Sequence, residues 1–366
     1  MAPEIEWITD TDRFGELAGE WDAVLPAESH PFDLHCWYEA WWEAFGAGSE
    51  LFVCTVRRDG VLAGALPMRV EGGQLRGLVN SHSPLIRPLA ADAAALRVLT
   101  EAALGAEPGL RELPGLPLED PGLTQLRDSA SGASRPTLVD PSYESPIVDT
   151  GGDFEAWRKQ SKPRWGAPLE RFTRKMGRDH EAELRIVELP EDLDAELEAG
   201  FAVEASGWKG EAGTAILSSP ETELFYRRVA AAFAARDGLR LSCIRLDGEA
   251  VAFDLCLLHR ERLYLLKTGF DERFRRLAPG LVMRLATIQR CFELGLAAHE
   301  LLGEATEWKL KFATGGRGHG TLRIFPSGLA GRASYRYRKD LRPRLKRVNG
   351  QLRHGWQARR GRGRSE

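Results

Sequence analysis

The 366-residue chain is short of the features that mark exported, membrane-spanning or metal-dependent proteins. No run of about 18 apolar residues occurs, which excludes a spanning helix. The opening MAPEIEWITDTDRF has neither the basic nor the apolar part of a secretory signal. There are five cysteines, Cys36, Cys54, Cys243, Cys256 and Cys291. An odd number of widely spaced thiols, mostly inside apolar runs, predicts buried reduced cysteines in a cytoplasmic protein. With no Cys-x-x-Cys and no His-x-x-x-His, no metal site is expected.

What is present is the composition of a soluble globular protein: 43% hydrophobic, 28% charged, 8% aromatic, with ten Trp. The net charge of -3 is unevenly spread. From Arg332 to Glu366 there are thirteen Lys and Arg against Asp340 and Glu366, so residues 1–331 carry a net -14. That basic segment is either a solvated, fraying helix or a contact for RNA, for an anionic membrane surface or for the acidic body itself.

The chain matches itself at an offset of 188 residues. Trp37, Tyr38, Ala44 and Phe45 fall on Phe225, Tyr226, Ala232 and Phe233, all at helical spacing. Leu51, Val53 and Val56 fall on Leu239, Leu241 and Ile244, and the turn Asp59-Gly60 falls on Asp247-Gly248. Glu112, Leu113 and Gly115 fall on Glu300, Leu301 and Gly303. Each half therefore reads as an aromatic-rich helix followed by a hairpin turning on Asp-Gly, the dipeptide that tolerates the positive φ of a two-residue turn.

The second half continues with a strand, ERLYLLKTGF, a helix from about 279 to 295 that opens on Pro279, and a short strand in HELLG. Meander plus crossover gives the fold class α+β, or mixed α/β: largely antiparallel sheets flanked by helices. Residues 114–146, rich in Pro, Gly and Ser, read as loop, linker or inserted β segments. Residues 154–179 read as a basic helix interrupted at Pro163 and Pro168. The predicted organisation is a first unit over 1–150, a connecting helix over 151–182, a second unit over 183–331, and a basic C-terminal helix or tail over 332–366.

Chemistry is concentrated in the second half. Arg275 to Gly280, RRLAPG, joins a strand to a helix, so free backbone N–H groups and the positive helix end face the gap, and phosphate is the natural occupant. Asp254 interrupts the apolar strand VAFDLCLL on the face shared with Ala252 and Cys256, where it either lines a cavity or caps a backbone group. The pairs Trp208-Lys209 and Trp308-Lys309 set an aromatic wall beside a cation, which suits an acceptor pocket or an anionic acyl group. His82 lies in the loop NSHSP, where a histidine is exposed as often as it is used.

Four blocks, ASGWKG (205–210), RLDGEAVAF (245–253), LYLLKTGFDERFRRLAPG (263–280) and LLGEATEWKLKFA (301–313), together resemble the GNAT acyltransferases, specifically the CelD-type branch related to the FemAB transferases, in which two GNAT-like units stand in tandem. The resemblance covers most of the chain and is densest over 193–325. It implies a coenzyme A loop at Arg275, Arg276, Ala278 and Gly280, with Ala278 where the family has its first glycine and Pro279 removing one amide. The first half, with NSHSPLIRPL in that register, is implied to be a degenerate partner.

The resemblance further implies an N-acyltransferase in which an amine attacks a thioester directly, with acetyl-CoA or another acyl-CoA as co-substrate and no metal. The oxyanion donor is then expected among Leu266, Lys267, Thr268 and Gly269. The base is expected to be Glu304, with Asp271 and Glu307 as the other carboxylates near the fork between strands and Asp254 as a further catalytic candidate. Trp208, Lys209, Tyr264, Trp308, Lys309 and His82 are the candidates for contact with the acceptor, a small-molecule or saccharide-linked amine. The family's tyrosine acid is missing from GEATEWKLKFATGG, leaving Tyr264 and Tyr335 as substitutes. The other readings are an aminoacyl-tRNA-dependent transferase of the FemAB kind and a catalytically decayed scaffold.

Overall fold

The computed structural model describes residues 3–341 except 84, 108–109, 208–209 and 211–212, with the backbone alone for 162–169. The first half runs β1 (Glu4–Ile8), α1 (His35–Phe45), β2 (Glu50–Leu51), β3 (Val53–Arg58), β4 (Val61–Leu66), β5 (Met68–Glu71), β6 (Gln74–Gly77), β7 (Leu89–Ala90), α2 (Ala93–Gly105), β8 (Glu112–Pro117), α3 (Pro121–Gly132) and β9 (Thr137–Asp149). The second runs α4 (Phe154–Asp179), β10 (Ala182–Glu188), α5 (Leu193–Ala205), α6 (Pro220–Ala234), β11 (Leu239–Leu246), β12 (Glu249–His259), β13 (Arg262–Phe270), α7 (Pro279–Glu293), β14 (Ala298–Glu300), β15 (Gly315–Ile324) and α8 (Gly328–Arg336). No described helix is long and apolar enough to cross a membrane.

The offset of 188 residues is visible as architecture. α1, β3, β4 and α2 recur as α6, β11, β12 and α7, and both Asp-Gly turns have positive φ at both residues. Trp37 and Phe225, equivalent positions of the repeat, meet edge to face at 5.1 Å, as matched positions do beside a two-fold relation. The apolar faces of α1 and α6 supply much of the largest core cluster, including Trp37, Trp41, Phe225 and Phe233.

Three sheets form: β1-β3-β4-β7, β2-β5-β6, and an eight-stranded sheet in the order β10-β11-β12-β13-β14-β9-β15-β8. Its end is an exchange between the halves. β14 of the second half pairs with β9 of the first, β8 of the first pairs with β15 of the second, and β9 and β15 pair with each other.

One expectation is met in part and one is corrected here. The Pro- and Gly-rich stretch 114–146 holds the end of β8, the helix α3 and most of β9. Proline is expected to exclude a central strand, but Pro141 adjoins Ser142, the extra residue where β9 bulges against β15, so no ladder donor is required of it. α4 likewise continues through Pro163 and Pro168. Phe154, Trp157, Phe172 and Met176 pack against the second core, with Phe154 and Trp157 on the Phe292 ring, and tertiary packing outweighs the local breakers.

Candidate active site

β13 pairs with β12 along its whole length, from His259↔Arg262 to Ala252↔Phe270. It pairs with β14 only over Arg262 to Tyr264. From Leu265 onward the two strands part, leaving a fork. A register shift on the β12 side makes Leu266 the extra residue of a bulge. The Asp271 N–H donates to the Val251 carbonyl at 2.9 Å, so strand alternation turns the Phe270 amide the other way, into the fork.

A cavity of about 400 Å³ opens there, between Thr268, Gly269 and Phe270 on one side and Arg275, Ala278 and Gly280 on the other. Glu204 from α5, Glu272 and Leu281 on either side of the turn, and Trp308 from the segment after β14 also line it. Glu204 is 1% exposed, and its Oε2 accepts the Ile216 N–H at 2.8 Å. α5 can come this close because Gly269 has no side chain: a Cβ there would lie 2.7 Å from the Glu204 Cα. Gly269→Ala is therefore expected to push α5 off β13 and lower stability by about 1–3 kcal/mol, read as a shift of the denaturant midpoint. An unchanged midpoint would show that the helix carries no close packing at this point.

The start of α7 is less of an amide cradle than its sequence implies. Ala278 has φ 50 and ψ 48, and its N–H donates back to the Arg275 carbonyl at 3.1 Å. Its carbonyl takes the N–H groups of Leu281 and Val282, and Pro279 has none. Gly280 is left as the amide of this turn with no acceptor among the described residues. Arg275, its side chain 78% exposed and 3.5 Å from Glu272, supplies a mobile cation at the rim; Arg276 is exposed outside the cavity lining. In the first half the equivalent helix start is closed to anions. Asp92 caps α2 through the Ala95 N–H at 2.9 Å and pairs with Arg58 at 2.8 Å, which holds its carboxyl well below the usual range.

Of the residues expected at the site, Thr268, Gly269, Arg275, Ala278, Gly280 and Trp308 meet in the cavity. Trp208 and Lys209 lie outside the described residues. Three predicted catalytic carboxylates take other roles. Asp271 caps the following 3-10 turn by accepting the Arg273 N–H at 2.9 Å, and the Arg273 guanidinium lowers its pKa, so it is a poor base. Asp254 is fully buried against Arg284 at 2.5 Å and is not among the described residues that line the cavity. Glu304 is exposed and is not part of the lining.

The remaining contact candidates are also placed elsewhere. Lys309 donates to the carbonyls of Leu302 and Glu304 and braces that loop. The Tyr264 hydroxyl is 3.4 Å from His30 Nδ1 in the core between the halves. Leu266 packs on the first core, and the Lys267 ammonium sits 4.8 Å from the centroid of the Tyr226 ring. His82 bridges the halves: Nδ1 is 3.3 Å from the Tyr226 hydroxyl and Nε2 is 3.5 Å from the Thr222 hydroxyl. Tyr335 stacks edge-on against Phe325, beyond β15.

Among the cavity-lining residues that sequence reasoning missed, which include Phe270 and Glu272, the buried carboxylate is Glu204. Its signal was available: Leu197, Gly200, Phe201 and Glu204 are spaced i, i+3, i+4, i+7, which puts one carboxylate on the buried stripe of an otherwise apolar face.

Residues 167–310 match the family model described as an acetyltransferase (GNAT) domain. No curated protein matches the sequence. Among solved structures, the chain is similar to the C-terminal domain of a putative lysylphosphatidylglycerol synthetase from Agrobacterium fabrum, with TM-score 0.54 and 11% identity over 85% of this chain and 92% of that one. It is also similar to FemX, with TM-score 0.54 and 11% identity over 87% and 96%. L-PGS from Bacillus licheniformis gives TM-score 0.51 and 12% identity over 86% and 92%. At these identities the likeness is one of fold. Residues 167–310, which include the forked β13, are thus similar to a GNAT-type acetyltransferase domain, and the repeat sets two like units in tandem.

Proposed function

We propose that the protein is an N-acyltransferase that moves an acyl group, most simply acetyl, from coenzyme A to the amine of a small-molecule or saccharide-linked acceptor. The observation that carries this reading is the meeting, in one cavity, of an open strand edge at Phe270 and a buried carboxylate at Glu204. The acceptor nitrogen attacks the thioester carbonyl, and the developing oxyanion is met by the Phe270 amide. Glu204 takes the ammonium proton. The tetrahedral intermediate collapses with cleavage of the C–S bond, and the thiol, whose pKa is about 8.5, departs largely as thiolate without a dedicated acid. Gly280 and the Arg275 side chain face the donor's phosphates.

A second reading, an aminoacyl-tRNA donor in the FemAB manner, is favoured by the amides of Ala278 and Leu281 being bonded within the chain and by the basic segments 159–178 and 332–366. Thermal shift separates the two. Acetyl-CoA at a hundred times its dissociation constant is expected to stabilise the protein by about 2.7 kcal/mol, with no response to tRNA. A flat response to acyl-CoAs, together with tRNA binding that falls steeply with salt, would transfer the assignment to the second reading.

A further inference from the structure

Arg284 is the one fully buried charged residue on α7 among those described, with 0% exposure. A guanidinium is tolerated in a core only when its charge and its donors are matched. Here Nη2 donates to Asp254 Oδ2 on β12 at 2.5 Å, and Nη1 lies 2.7 Å from His299 Nε2 on β14. The opposite ring nitrogen, Nδ1, is 3.0 Å from the Leu263 carbonyl on β13. A carbonyl can only accept, so Nδ1 carries the proton and Nε2 accepts from the arginine. One neutral tautomer satisfies both contacts, and burial together with Arg284 keeps the ring neutral, its pKa pushed down to about 3.

The place of this chain of bonds matters. Leu263 is paired with His299, one step before the last paired position, Tyr264↔Glu300, at which β13 and β14 separate. Asp254 lies opposite Thr268, which lines the cavity. The guanidinium carbon is 5.7 Å from the centroid of the Trp308 ring, another wall of that cavity, and Nε has no hydrogen-bond partner among the described residues. An apolar side chain would fill this volume as stably as a buried ion pair. What the charged network adds is a fixed relation between four backbone elements.

We propose that Asp254, Arg284 and His299 form a buried clamp that sets the fork between β13 and β14 and holds Trp308 against the cavity, so that Arg284 and His299 are positioning residues for acyl transfer. The functional half of the proposal rests on the acyl-CoA reading above; the geometric half does not.

The test uses the full chain labelled with 5-fluorotryptophan, the Trp308 signal being assigned from Trp308→Phe. His299→Gln retains a donor for Leu263 and an acceptor for Arg284, whereas His299→Leu keeps the bulk and loses both bonds. The leucine variant is expected to move the Trp308 fluorine signal and to raise amide exchange over 265–270 by about tenfold. It is also expected to weaken acetyl-CoA binding by about tenfold, while the glutamine variant stays within about threefold of wild type in each. If the leucine variant does not fold, Arg284→Lys, which keeps the charge but reaches only one partner, is read by the same signals. A Trp308 signal and exchange rates unchanged in the folded variant, or glutamine behaving like leucine, would overturn the clamp. Should acetyl-CoA bind none of the proteins, the acyl-CoA reading fails, and the fluorine and exchange measurements still decide the clamp.

Discussion

Taking the pH from 7 to 5 is expected to remove several kcal/mol of folding stability, well before most carboxylates titrate. His30, His299 and His319 are 7%, 0% and 3% exposed. Burial pushes their pKa values down to about 2, 3 and 4, and neighbouring arginines push in the same direction: Arg87 and Arg317 for His30, Arg284 for His299, and Arg317 for His319. In the unfolded chain each imidazole titrates near 6.5. The unfolded state therefore binds protons first as the pH falls. The stability is fully present above about pH 6.5 and is lost progressively toward pH 4, at about 1.4 kcal/mol per pH unit for each group.

Three such groups give a slope of about 4 kcal/mol per unit below pH 6, against a total domain stability of about 5–15 kcal/mol. Denaturant midpoints measured from pH 7.5 to 4.5 read the slope directly. His35, His82 and His259, also shifted down by burial, add to the slope, so His299→Gln should reduce it by about 1.4 kcal/mol per pH unit, and a stability profile flat down to pH 5 would show that these rings are protonated in the folded protein.

Glu204→Gln is expected to slow acyl transfer by about 10²- to 10⁴-fold, the range that removal of a general base produces. The amide keeps the shape of the carboxylate and one acceptor for the Ile216 N–H, so donor binding should change little and the loss should appear in kcat. Single-turnover acylation of an acceptor amine measures this, with equilibrium acetyl-CoA binding alongside. A full rate with glutamine would move the base elsewhere. Substitution of Glu304, exposed and outside the cavity, should leave the rate within about threefold, as for most surface changes away from the chemistry.

The chain's periodicities determined a good deal by themselves. Local signals placed the two Asp-Gly hairpins, the proline-opened helix α7 and the repeat, because a turn dipeptide or an amphipathic stripe acts through neighbours in sequence. The strand-to-helix junction and the Trp-Lys pair also led to Arg275, Ala278, Gly280 and Trp308, and the family resemblance to Thr268 and Gly269; these six meet in one cavity.

What only the tertiary structure decided was the use of each charged group. Asp254 and Glu204 are both carboxylates in apolar segments. One is tied to Arg284, thirty residues away, and the other is brought to the cavity because a glycine on another strand leaves room for its helix. Pro141 could join a central strand because β9 itself bulges beside it, at Ser142. Burial, pairing and desolvation depend on which distant segments come together, and that pairing is fixed by the packed core, where a charge has a partner or a cavity only as the whole chain provides one.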